Sequence, residues 1–103
     1  MASFSELINS ETPVLVDFYA DWCGPCKTMS PIVEEIANRN KDKVKVIKVN
    51  TDKNPAASKA YGIQGIPTFI LFQKGKILWR QSGAMPRHTM EGMLQPFLNA
   101  AAK

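Results

Sequence analysis

An α/β fold, with a central mixed β-sheet of four strands flanked by helices on both faces, is predicted by three features of this 103-residue chain. Val14 to Ala20 (VLVDFYA) is apolar on both alternating faces, the pattern of a central strand covered on each side. Strand and helix periodicities then alternate as far as Gly62, which implies parallel strands joined by crossovers. Further on, Thr68-Phe-Ile-Leu-Phe72 and Lys76-Ile-Leu-Trp-Arg80 flank Gln-Lys-Gly, a turn signal for an antiparallel hairpin that makes the sheet mixed.

Each element has a local reason. Ser3-Phe-Ser-Glu6 fits a capping box that opens a short helix running to about Asn9, and Thr12-Pro13 resets the chain before the first strand. From Cys23 onward Met29, Ile32, Val33, Ile36 and Ala37 recur at helical spacing. Pro31 removes a backbone hydrogen bond inside that helix and is expected to kink it. Val44 to Val49 is the second strand, and Asn54-Pro55 supplies a cap and a first-turn proline for a short helix that stops near Gly62. After the hairpin, Met90, Met93, Leu94, Phe97, Leu98 and Ala101 form an amphipathic stripe that closes the domain. Pro96 falls within that stripe, forfeits a bond to the Gly92 carbonyl and is expected to bend or break the helix.

Bulk composition narrows the function. The length suits a single domain, residues 1–103, and a hydrophobic fraction of 45% with 21% charged residues is ordinary for a globular protein. No apolar run is long enough to span a membrane, and the N-terminus lacks the pattern of a signal peptide, so a cytoplasmic location is expected. The net charge is +4, yet its one local concentration, Lys41-Asp-Lys-Val-Lys45, is broken by an acid and carries no stacking aromatics. That is a solvated strand end rather than a nucleic-acid patch.

Chemistry concentrates at two places. Asp17 is a carboxylate in the middle of the apolar first strand, where burial without a partner costs several kcal/mol or drives it to take up a proton. Six residues later Cys23 and Cys26 stand in a Cys-x-x-Cys pair between strand and helix. Side chains three apart on a helix have Cβ atoms about 5 to 6 Å apart. A disulfide needs about 3.5 to 4.5 Å, so small adjustments in a first turn let the sulfurs join or separate. At a helix N-terminus Cys23 faces free backbone N–H groups and the positive end of the dipole, which favours thiolate and makes it the nucleophile. Cys26, further into the helix, is expected to be less exposed and to act as the resolving thiol. Zinc would need four ligands, and the only nitrogen ligand beside these thiols is His88, with no second cysteine pair, so no metal site is expected.

With these residues in place, the chain resembles the thioredoxin family over essentially its whole length. The matching stretches are Val16 to Lys27 with its Trp-Cys-Gly-Pro-Cys, Pro31, Lys48-Val-Asn-Thr-Asp52, Tyr61 to Thr68, and Ser82-Gly-Ala84. The resemblance implies a thioredoxin fold and a protein-disulfide reductase with no bound cofactor. Its electrons would come from NADPH through a flavoprotein, thioredoxin reductase. It implies that Asp17 accepts the proton of Cys26 through water, that Lys48 lies near that acid, and that Pro67 is cis and faces the disulfide. Trp22, Gly24, Pro25, Ile66, Pro67, Gly83 and Ala84 would form an apolar groove for disulfide-containing protein substrates. A monomer is expected, with neither nucleic acid nor membrane as partner.

Only Met1-Ala2 precede the first helix, so the fifth strand usual in the family is left open, and Tyr19 stands where many members carry a second tryptophan. Two alternatives remain: a redox-independent interaction module using the same groove, and an oxidase or isomerase. Gly24-Pro25 brings no histidine to stabilise the Cys23 thiolate, which argues for a reductant.

Overall fold

The computed structural model describes residues 3–101. Its elements follow in the order α1 (Phe4–Ile8), β1 (Val14–Tyr19), α2 (Gly24–Arg39), β2 (Lys45–Asn50), α3 (Pro55–Ala60), β3 (Thr68–Gln73), β4 (Lys76–Ser82) and α4 (Arg87–Ala101). Among the described residues the strands make one four-stranded sheet in the order β2-β1-β3-β4. β1 runs parallel to β2 and antiparallel to β3, and β3 runs antiparallel to β4, so the sheet is mixed as expected. Met1 and Ala2, on which the question of a fifth strand turned, lie outside the described residues.

The alternation of β1 divides the interior in two. Val14, Val16 and Phe18 point to one face and pack with Ile8, Ile70 and Phe72. Phe4 of α1 enters that layer among the rings of Phe18, Tyr61 and Phe72, at centroid separations of 5.6 to 6.2 Å. Leu15 points to the other face, where Phe69 and Leu71 meet Met29, Val33 and Ile36 of α2 and Met90, Leu94 and Leu98 of α4. Asp17 follows Leu15 by two residues and so shares the α2 side.

Local signals acted much as the sequence suggested, with corrections. Ser3 Oγ accepts the Glu6 N–H at 3.2 Å and opens α1. The hairpin turns through Lys74 (φ 52°) and Gly75 (φ 79°), the positive-φ pair a tight two-residue turn requires. Asn54 stands at the N-cap of α3, but its side chain makes no cap hydrogen bond; its Nδ2 donates instead to the Asn50 carbonyl at 2.9 Å. Neither proline ends its helix: α2 continues through Pro31 and α4 through Pro96. Both prolines lie on exposed faces, and buried side chains before and after each one hold the helix to the sheet. Met93, expected in the core stripe, is 38% exposed, because the buried line of α4 is Met90, Leu94 and Leu98. A register shift in the β3–β4 pairing places both Leu78 and Trp79 against the α2–α4 core.

Candidate active site

Cys23 is the N-cap of α2, with extended backbone, and Pro25 occupies the first turn behind it. Its sulfur accepts the Cys26 backbone N–H at 3.2 Å. The two sulfurs are bonded, with Cα atoms 5.3 Å apart, inside the range that a disulfide spans. Cys26 was expected to be the less exposed thiol, but with the bond closed the pair are equally covered, at 3% and 4%. Ala20 packs with both, and Tyr19 and Ile66 close over the cluster.

The residues around the pair come from three separate loops. Trp22 is 71% exposed, and its indole N–H donates to an Asp52 carboxylate oxygen at 2.9 Å. Asp52 is presented by a turn in which Asn50 Oδ1 accepts the N–H groups of Asp52 and Lys53. The Ile66–Pro67 peptide bond is cis, and Pro67 is buried. Gly83 donates its N–H to the Pro67 carbonyl at 2.9 Å from a backbone with φ 95°, a conformation that favours glycine. Thr68 Oγ1 and Ser82 Oγ, 2.9 Å apart, join the same two segments. Ala84 is exposed beside Gly83, and Met85 donates its N–H to the Met29 sulfur at 3.4 Å. Gly24 and Pro25 stay exposed on the first turn of α2. The β3 and β4 ends are thereby fastened to each other and, through Met29 and Ile66, to the helix that carries the cysteines.

Asp17 of β1 is only 1% exposed, with neither carboxylate oxygen hydrogen-bonded. It lies between Phe69 on β3 and Lys48 on β2, each its register partner. Burial pushes its pKa up from 3.8 to about 6, against a smaller downward pull from the Lys48 charge. Lys48 makes no ion pair with Asp17. Its Nζ donates to Ser30 Oγ at 2.6 Å and lies 5.1 Å from the centre of the Tyr19 ring. Tyr19, Cys26, Lys27, Ser30 and Lys48 line an open pocket of about 440 Å³ beside the disulfide.

Sequence reasoning gave no role to Ser30, Asp52 or Tyr19. Ser30 was findable as the residue one helical turn beyond Cys26 on the same face. The Asp52–Trp22 bond joins two distant loops and left no periodic signal. No group of three or more His, Cys, Asp or Glu side chains able to hold a metal occurs among the described residues.

A reversible dithiol at a helix start can exchange disulfides. The Thioredoxin family model matches residues 1–96. The chain is 46% identical to a thioredoxin of Porphyra purpurea over 99 residues, covering 95% of this chain and 92% of that one. It is 47% identical to a thioredoxin of Synechocystis sp. PCC 6803 over 98 residues, 94% of this chain and 92% of that one. It is 50% identical to a thioredoxin of Griffithsia pacifica over 95 residues, 92% of this chain and 87% of that one. With this match over nearly all its length and a Cys-Gly-Pro-Cys disulfide at the start of α2, the chain belongs to the thioredoxin family and is a thiol-disulfide oxidoreductase.

Proposed function

We propose that this chain is a general protein-disulfide reductase in which Cys23 attacks and Cys26 resolves. The observation that carries this reading is the Cys26 N–H aimed at the Cys23 sulfur at the N-cap of α2. A donor in that place favours a sulfur anion, and the aligned helix peptides add to it.

The Cys23 thiolate attacks one sulfur of a substrate disulfide. A Cys23–substrate bond forms, the substrate S–S bond breaks, and the departing thiolate takes a proton from solvent. Cys26 then gives its proton, through water in the pocket it lines, to the Asp17 carboxylate. The Cys26 thiolate attacks Cys23 Sγ, closes the 23–26 disulfide and expels the second substrate thiolate, which is protonated in turn. Two electrons have passed to the substrate, and the protein is left oxidised. An acid raised to about 6 is still largely ionised at neutral pH yet basic enough to receive the proton briefly.

Trp22, Gly24, Pro25, Ile66, Pro67, Gly83 and Ala84 form the groove that holds the substrate chain beside Cys23, with the Ile66 backbone available to pair with it. Lys48 tempers the charge of Asp17. A flavoprotein reductase, thioredoxin reductase, returns the electrons from NADPH, and the protein works as a monomeric single domain in the cytoplasm. In an insulin-reduction assay driven by dithiothreitol, Cys23→Ser should abolish catalysis, while Cys26→Ser should accumulate mixed disulfides with substrate. Full activity in Cys23→Ser would overturn the assignment of the nucleophile.

A further inference from the structure

Lys48 and Asp17 face each other across the β1–β2 register, yet the ammonium is held elsewhere. Its anchor is Ser30 Oγ at 2.6 Å, a charge-assisted bond. Ser30 is four residues beyond Cys26, so α2 presents the resolving cysteine and the lysine anchor on one face, and both line the same pocket. Tyr19 supplies a second contact, its ring 5.1 Å from Nζ. The side chain of Lys48 is otherwise exposed, and a free lysine gains rotamer entropy and hydration by swinging into water.

We propose that Ser30 is a positioning residue of the exchange site, holding the Lys48 ammonium on the pocket wall within electrostatic reach of Asp17 and so setting how readily Asp17 takes the Cys26 proton. The inference rests on the reading of Asp17 as proton acceptor given above. Without the hydroxyl, Lys48 spends its time in solvent, where the larger separation and higher dielectric weaken its field at the carboxylate. The buried acid then holds its proton to higher pH, and less of it is ionised and ready at neutral pH. Among the described residues, the remaining ionisable groups lining the pocket are Tyr19, Asp21 and Lys27, joined by Cys26 once the disulfide is reduced. β3 meets Asp17 with Phe69, and α4 adds no residue to the pocket wall.

Two readouts test it. The Asp17 carboxyl is titrated by carbon-detected NMR in the oxidised protein, and the rate of mixed-disulfide resolution with a peptide disulfide is followed from pH 5 to 9. Ser30→Ala should raise the Asp17 midpoint by roughly half a pH unit and move the acidic limb of the rate profile the same way. Ser30→Thr, which keeps the hydroxyl, should restore both. In the Asp17→Asn background Ser30→Ala should change the resolution rate no further. An Asp17 midpoint that stays put or falls in Ser30→Ala overturns the tether. Unaltered resolution in Asp17→Asn alone overturns the proton-acceptor reading instead, and the carboxyl titration still judges the tether by itself.

Discussion

Asp17 is an acid whose burial opposes folding at neutral pH. Its pKa is raised from 3.8 to about 6, so at low pH both the folded and unfolded chains hold the proton, and stability is greatest there with respect to this group. As pH rises above 3.8 the unfolded chain ionises first, and the advantage of the folded state falls until the native acid ionises near 6. Asp17→Asn removes this loss. Urea unfolding of the oxidised protein should show the variant gaining on the order of 2 to 3 kcal/mol relative to wild type between pH 4 and pH 8. A stability difference independent of pH would contradict the burial argument. This residue was visible in the sequence because a carboxylate interrupts an apolar strand. Lys48 came from the family resemblance, but its true contact did not: a serine on a helix gives no sign of the lysine that strand register brings to it. The equal cover over Cys23 and Cys26 was also hidden, since it depends on Ile66, forty residues further along the chain.

α2 and α4 share one face of the sheet and are tied by a polar cluster as well as by their apolar stripes. Glu91 of α4 receives Arg39 Nε and Asn40 Nδ2 from the end of α2, each at 3.2 Å, and Arg87 Nη1 at 2.6 Å from its own helix. Arg87 also reaches Glu35 of α2 at 3.5 Å. Burial alone would raise the Glu91 pKa, but the hydrogen bonds from Asn40 and Arg39 and the charges of Arg39 and Arg87 outweigh it and hold the carboxyl below its usual 4.5. A lowered acid stabilises the fold above the unfolded value and loses that contribution as pH falls through the folded one. Glu91→Gln should therefore cost about 1 kcal/mol at pH 7, the scale of a partly exposed ion-pair cluster, with the gap closing in acid. Thermal unfolding at pH 7 and pH 3 checks the sign, and a gap that widens in acid would contradict it. The central strand and the helix faces were legible because the continuous apolar run Val14–Ala20 and the 3.6-residue spacing of Met29, Val33 and Ile36 stand out. The fate of Pro96 was not. Intrinsic preference says that Pro96 ends a helix, whereas Leu94 and Leu98 on either side of it are fully buried and keep the segment helical.

At the scale of the molecule, the fold brings together at one end of the sheet the start of α2, the cis-Pro67 turn and the Gly83 loop, while the cores that hold them lie on either side of β1. That convergence has no signature in any one stretch of sequence. The Trp-Cys-Gly-Pro-Cys stretch carried the chemistry, but the ties between loops, Gly83 to Pro67 and Trp22 to Asp52, depend on the completed sheet. The short, uncharged Gly24-Pro25 link supplies no extra cation to favour the reduced pair, so equilibration with glutathione should place this couple on the reducing side of the glutathione couple. A potential on the oxidising side would indicate an oxidase or isomerase. Backbone donors at the head of α2 should make the Cys23 sulfur far more nucleophilic than its neighbour. This is tested most directly by treating the fully reduced protein with limiting iodoacetamide between pH 6 and 8 and mapping the modified residue by mass spectrometry. The label should fall on Cys23, added faster than to a simple thiol such as glutathione, with Cys26 spared; equal labelling of both, at the rate of the simple thiol, would contradict this.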